Sequence, residues 1–248
     1  MVTTALRPIH RPIDRRVERL FFAGMALLIL ASVYVGFART YYRAGVFGAP
    51  LPNTLIHVHG AVFSLWIVLL IAQTSLVAAG RVDLHRRLGV LGFGLASLMV
   101  ILGLWAATNS LHRGNGFLGA TAASFYVIPV TDILLFAVLV FAAFRARFQP
   151  AAHKRLIIIA TIALLGAAIA RWPLAIFHRS PVMIDVFSYM FLLLLVGYDL
   201  WSLRRIHRAT LWAGALLIVV HTLRMPFAGT ALWQGFAGWV QHLGVHPY

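Results

Sequence analysis

Seven apolar stretches divide the chain, and the polar segments between them are short. They fall at about residues 18–40, 54–80, 87–111, 124–146, 154–172, 183–203 and 209–227. Each approaches or exceeds the roughly 20 residues that a helix needs to cross a hydrocarbon core of ~30 Å. Water is absent at that depth, so a backbone that bonds to itself as a helix is the form such a run takes. Breakers mark the joints: Pro50 and Pro52, Gly114 and Gly116, Pro150, Pro173 and Pro181. The pattern predicts an all-α bundle of seven transmembrane helices, with consecutive helices antiparallel. Pro129, inside the fourth run, predicts a kink. Gly89, Gly92, Gly94 and Gly103 in the third run, with Gly166, Ala167 and Ala168 in the fifth, predict close helix approach. Beyond the seventh run, Trp233, Phe236, Ala237, Val240 and Leu243 recur with helical spacing. That stretch predicts an amphipathic helix lying on the membrane surface as an anchor. Residues 1–17 then form a basic tail, 18–227 the bundle and 228–248 the amphipathic tail.

The charges orient this arrangement. Of the 21 Lys and Arg residues, 15 lie in the first segment and in every second loop after it. These are Arg7, Arg11, Arg15, Arg16 and Arg19; Arg81, Arg86 and Arg87; Arg145, Arg147, Lys154 and Arg155; and Arg204, Arg205 and Arg208. The remaining six are Arg39, Arg43, Arg113, Arg171, Arg179 and Arg224. Basic residues stay cytoplasmic, which puts the N-terminus inside and the C-terminus outside. The run from Leu20 has the length of a full span and ends in Ala38-Arg39-Thr40, with no small-x-small cleavage pattern, so it is read as a retained first helix.

Composition narrows the function classes. With 61% hydrophobic and 11% charged residues among 248, the chain has no room for a soluble domain, and no nucleotide-binding motif occurs. The net charge of +15 reads as a topology signal and an attraction to anionic phospholipid at the cytoplasmic face, not as nucleic-acid binding. Without cysteine there is no disulfide, thiolate ligand or iron–sulfur cluster. The only lysine, Lys154, is at the inner end of the fifth run, so no mid-membrane lysine can hold retinal as a Schiff base. Paired broken helices of the kind that mark a transporter are not evident.

Three of the six acids lie inside runs: Asp132, Asp185 and Asp199. A charge at the bilayer centre costs at least ~2.5 kcal/mol, so each needs a partner or a proton. Asp199 is expected to pair with Arg204 or Arg205, and Asp185 with Arg171, Arg179 or Arg224. Asp132 is deeper, with no basic residue near it in sequence. His221 and His59 are the imidazoles expected at its level. Together His59, Asp132 and His221 make a candidate site for zinc, iron or copper, or a proton relay. A polar network that only ties helices together is the plainer reading. His57 and His59 point about 200° apart on a regular helix, so both cannot face one ion unless that turn is unwound. His112 and His178 also belong to the outer side, while His10, His242 and His246 lie in the tails.

An inner tier repeats one motif. His85-Arg86-Arg87-Leu88, His153-Lys154-Arg155-Leu156 and His207-Arg208 each open a helix that runs outward. The helix dipole disfavours an imidazolium at these N-termini, and neutral imidazole is what haem iron binds. His85 and His153 are therefore candidate axial ligands, and Arg86, Arg87, Lys154 and Arg155 candidate partners of the propionates. Interfacial anchoring, or duplication of a helical hairpin, explains the same motif without a ligand.

The elements His59-Gly60 through Gln73, His85-Arg86-Arg87-Leu88-Gly89, His153-Lys154-Arg155 and Arg171 resemble an uncharacterised bacterial multi-helix membrane-protein family with a His-Arg-x-Leu-Gly turn. Ile157 stands where that pattern has a methionine, and the resemblance covers residues 55–175. More distantly, the order of histidines is similar to the ascorbate-reducible two-haem transmembrane cytochromes. That resemblance implies His85 and His153 as one ligand pair. It also implies a first ligand of a second pair at His57 or His59, whose mate in residues 124–146 is missing.

Three functions fit these expectations. The first is a multi-pass protein of the bacterial inner membrane that binds one b-type haem and moves electrons. The second is a metal-dependent membrane hydrolase with a water nucleophile at His59, Asp132 and His221. The third is an accessory or assembly subunit associated with other membrane subunits of a respiratory complex.

Overall fold

A computed structural model describes residues 15–50, 52–178 and 180–243. Arg7, His10, Arg11, Arg179 and His246, singled out above, lie outside these residues, as does most of the basic tail.

Every long apolar run is a helix. α1 spans Arg15–Phe37 and continues through a π-helical turn, Ala38–Tyr42. α2 is Thr54–Ala78, α3 Val82–His112 and α4 Ala122–Arg145. The fifth run divides into α5, Pro150–Ala163, and one helical turn, α6, Gly166–Ile169. A 3-10 turn, Ala175–His178, leads to α7, Pro181–Leu203, which is followed by α8, Arg208–Ala228, and α9, Ala231–His242. Seven of these helical stretches, with α5 and α6 taken as one, are long and apolar enough to cross a membrane. Pro150 and Pro181 open helices, where a missing N–H costs nothing. Asn53 and Thr121 cap α2 and α4 by accepting the backbone N–H groups of Ile56 and Ser124. The helix continues through Pro129.

Sequence neighbours pack side by side from α1 to α5, and α8 closes the bundle against α4 and α5. α4 and α5 are the most enclosed spans and α2 the least. Met99, Phe136, Ile159, Ile162, Leu195 and Leu217 lie in the core with essentially no exposure. Large apolar side chains also face outward: Leu27, Leu65, Val90, Ile101, Val138, Leu193 and Trp212 among them. Helices apolar all round their circumference are at home in lipid. Trp66 donates to the Thr161 hydroxyl at 3.2 Å and Trp172 to the Ser32 carbonyl at 3.1 Å, tying α5 and the loop after α6 to the first two spans.

Of the expected close approaches, Gly92 and Gly103 are realised. A Cβ at either would come within 3.0 Å of a neighbouring helix's side chain, Leu69 or Ile133. Gly94 has nothing near it. Ala168 is also realised, in the tightest crossing, where its backbone lies against Gly36 of α1, a partner the pattern did not name.

α9 forms as an amphipathic helix, as expected, and packs on the bundle. Trp233 and Ala237 are buried against Leu111, Tyr126 and Val127, while Leu243 of the same stripe is exposed. Trp233 donates to the Ala123 carbonyl at 2.8 Å and Gln234 to the Ser124 hydroxyl at 3.1 Å. Phe236 and Trp239 remain exposed on its other side.

The alternating helices put Arg15, Arg86, Lys154 and Arg208 at one end of the bundle, hereafter the basic end. Asp185, Arg224 and α9 lie towards the opposite, distal end.

Candidate functional site

Two polar clusters sit in the spans, one towards each end. At the basic end, His85 and His153 approach each other from the first turns of α3 and α5. Their ring centroids are 6.3 Å apart, with planes at 87°. His153 Nδ1 lies 2.8 Å from the Ala143 carbonyl on α4. A carbonyl only accepts, so Nδ1 carries a proton, and in the neutral ring the free lone pair is on Nε2. Metal-binding imidazoles commonly make such a contact through the ring nitrogen that does not bind the metal, which fixes their tautomer. His85 Nδ1 and Gln73 Oε1 are both buried and lack a hydrogen-bond partner among the described residues. Gly89, one turn after His85, presents only a hydrogen atom to Gln73. The site thus combines two imidazoles and an amide, with unsatisfied polar atoms directed into the protein.

The basic residues around it divide. Arg155 is not available to an anionic ligand. It is 1% exposed and reaches Asp199 through Nε at 2.9 Å and an Nη at 2.5 Å. The other oxygen of Asp199 accepts the His207 N–H at 3.0 Å and the Thr210 hydroxyl at 2.6 Å. This corrects both the expected Asp199 pairing with Arg204 or Arg205 and the role expected for Arg155. Arg204 closes α7 in a left-handed conformation, and the acid turns inward to α5 and α8. Lys154 pairs with Glu18 of α1. Arg86 and Arg87 stay exposed at this end, free to meet an anionic group. His207 caps α8 by accepting the Ala209 N–H at 3.1 Å. Burial, and then the Arg155 charge, push its pKa below the ordinary 6.5, which keeps Nδ1 available as that acceptor.

At the distal end the structure joins Asp132 and His221 but not His59. Asp132 on α4 and Asp185 on α7 are bridged by Arg224 on α8, with nitrogen–oxygen distances of 2.7 and 2.6 Å. His221 lies between the same two acids. Nε2 is 3.4 Å from Asp132 and Nδ1 is 3.4 Å from Asp185, within ion-pair range but without hydrogen-bond alignment. Tyr189 stacks on the imidazole with centroids 5.9 Å apart. Arg224 is the residue that the sequence reading missed as a partner of Asp132. The signal was available, because Arg224 follows His221 by three residues and so shares its helix face. Asp185 pairs with Arg224, one of the three partners expected for it.

His59 sits elsewhere because α2 packs on α1 and α3, whereas α4 packs on α8. Its ring lies over Phe63, 4.1 Å between centroids, and its Nδ1 is buried without a partner among the described residues. His57 points away to Tyr41, whose hydroxyl is 3.3 Å from its Nδ1. Among the described residues, no group of three or more His, Asp and Glu side chains has the arrangement of a metal site. The set His59, Asp132 and His221 is therefore not one cluster, and Arg224 holds its carboxylate.

Fold and composition together define a polytopic α-helical membrane protein. No family model matches the chain, and no curated protein or solved structure is significantly similar to it.

Proposed function

We propose that the chain is a redox protein of the bacterial inner membrane whose His85 and His153 ligate one b-type haem near the cytoplasmic face. The observation that carries this reading is the relation of the two rings. Two metal–nitrogen bonds of roughly 2.0–2.1 Å, plus the ~1.1 Å from each nitrogen to its ring centre, place facing imidazoles about 6 Å apart. The 6.3 Å separation matches that span. The Ala143 carbonyl supports it further by presetting His153 as a ligand.

Ligand number favours porphyrin over a bare ion. With two imidazoles and no carboxylate in the site, a free ion would be under-coordinated, whereas a porphyrin supplies four nitrogens of its own. Arg86 and Arg87 are then the partners of the propionates, and Arg155 is not. Haem would supply one-electron chemistry. The chain would hold the iron low-spin and fix the imidazole orientations, with anionic lipid bathing the basic end.

Absorption spectra of the purified protein test the reading. A Soret band that shifts on reduction is expected. His85→Ala or His153→Ala should abolish or strongly change it, while His207→Ala, which removes only a helix cap, leaves it intact. A colourless wild type, or spectra unaltered by either ligand variant, would reject the proposal.

A further inference from the structure

The distal cluster has an arrangement that the haem reading does not use. One imidazole presents its two nitrogens to two different carboxylates at equal distance, 3.4 Å each. The two acids are not equivalent. The Asp185 side chain is 18% exposed and lies four residues inside the distal start of α7. The Asp132 side chain is 11% exposed and lies about ten residues, roughly 15 Å, along α4 from its distal start. His221 between them is 1% exposed.

We propose that His221 relays protons between Asp185, the acid nearer distal water, and Asp132 inside the bundle. Charge balance sets the resting state. Two carboxylates and the Arg224 guanidinium sum to one negative charge, and one proton on His221 makes the buried group neutral. Arg224 touches both acids, and the balancing proton is placed on the ring between them. From this imidazolium the Nε2–H bond breaks as its proton passes to a carboxylate oxygen of Asp132, which leaves a neutral ring with Nδ1–H. Rotation of the ring turns the unprotonated nitrogen to Asp185. A proton that Asp185 has taken from distal water then forms the N–H bond there and restores the imidazolium.

The groups facing the ring are few. α4 contributes Asp132, α7 contributes Asp185 and Tyr189, and α8 itself contributes Arg224. The ionisable residues of α5, which are His153, Lys154 and Arg155, all lie at its basic end, and α9 places none against His221 among the described residues. A cross-link that served stability alone would be complete with Arg224, which already joins all three helices. Placing an imidazole at equal distance from both acids adds a path.

Nitrogen-15 NMR of the full chain with labelled histidine tests this, with the His221 signals assigned by their absence in His221→Gln. At neutral pH the wild type should show His221 protonated on both nitrogens, with protons that exchange into D2O faster than the helix amides. Asp185→Asn should slow exchange at both nitrogens by about 10²-fold, the scale of a positioned acid–base group. Asp132→Asn should slow exchange at Nε2 only. Either variant decides alone if the other fails to fold. Equal effects on both nitrogens in Asp132→Asn, no effect in Asp185→Asn, or wild-type ring protons as protected as the amides would overturn the relay and leave a static ion network.

Discussion

Asp132 lies inside the bundle, where a bare carboxylate is costly, and Arg224 and His221 both approach it. Its depth alone demands a counter-charge, and that requirement correctly pointed to His221. Its stronger partner, Arg224, was signalled only by its place three residues after His221; that its guanidinium reaches across to α4 is a matter of packing that sequence position does not give. Asp199 illustrates the same limit. Arg204 and Arg205 are close in sequence, yet the buried carboxylate finds Arg155, 44 positions away, because its helix face points into the bundle. The distal network makes a direct prediction. Arg224→Ala leaves the buried Asp132 and the half-buried Asp185 without their guanidinium and should destabilise the protein by ~3–5 kcal/mol, as for other broken buried pairs. A thermal melt in detergent checks this. A melting temperature equal to wild type would mean that the acids are satisfied by other groups.

At the scale of elements, run length and hydropathy located all seven spans, with ends that differ by a few residues. This succeeds because the bilayer imposes both length and polarity on each helix. Three features were not legible. The break between α5 and α6 follows residues that are apolar on both sides, the docking of α9 depends on Trp233 finding the Ala123 carbonyl, and the neighbours of α2 depend on tertiary packing. These three are set by contacts between helices, which hydropathy does not encode. The same applies to glycine: Ala168 was legible as a site of close approach, but Gly36, which meets it at the tightest crossing, was not. The obstacle at Gly36 is the Ala168 backbone, which cannot rotate away as a side chain would. Gly36→Val should therefore lower stability by at least ~1–3 kcal/mol, the usual cost of overpacking, whereas Gly94→Ala, with open space around it, should leave the melt unchanged. Similar losses in the two variants would deny the close α1–α6 approach.

For the molecule as a whole, the asymmetry of basic residues is the organising feature. The positive-inside rule predicts from it that the basic end is cytoplasmic, so a reporter fused after Tyr248 should be active only if it works outside the cytoplasm; activity of a strictly cytoplasmic reporter would reject the orientation. The candidate sites lie towards opposite ends of the bundle, the imidazole pair at the basic end and the carboxylate–imidazole network at the distal end. Of these, the pair His85 and His153 was legible because each opens a helix beside basic residues. The orthogonal setting of their rings was not, since it follows from side-chain torsions and from how α3 and α5 are each placed against α4. That angle gives the haem assignment its sharpest test. On the proposed ligation, imidazole planes at 87° would bring the two highest occupied d orbitals of low-spin ferric iron close to degeneracy. Electron paramagnetic resonance of the oxidised protein should therefore show a low-spin ferric signal of strong anisotropy. A high-spin signal, a low-spin signal of the weakly anisotropic type given by parallel imidazoles, or no haem signal at all would contradict ligation by His85 and His153 in this geometry.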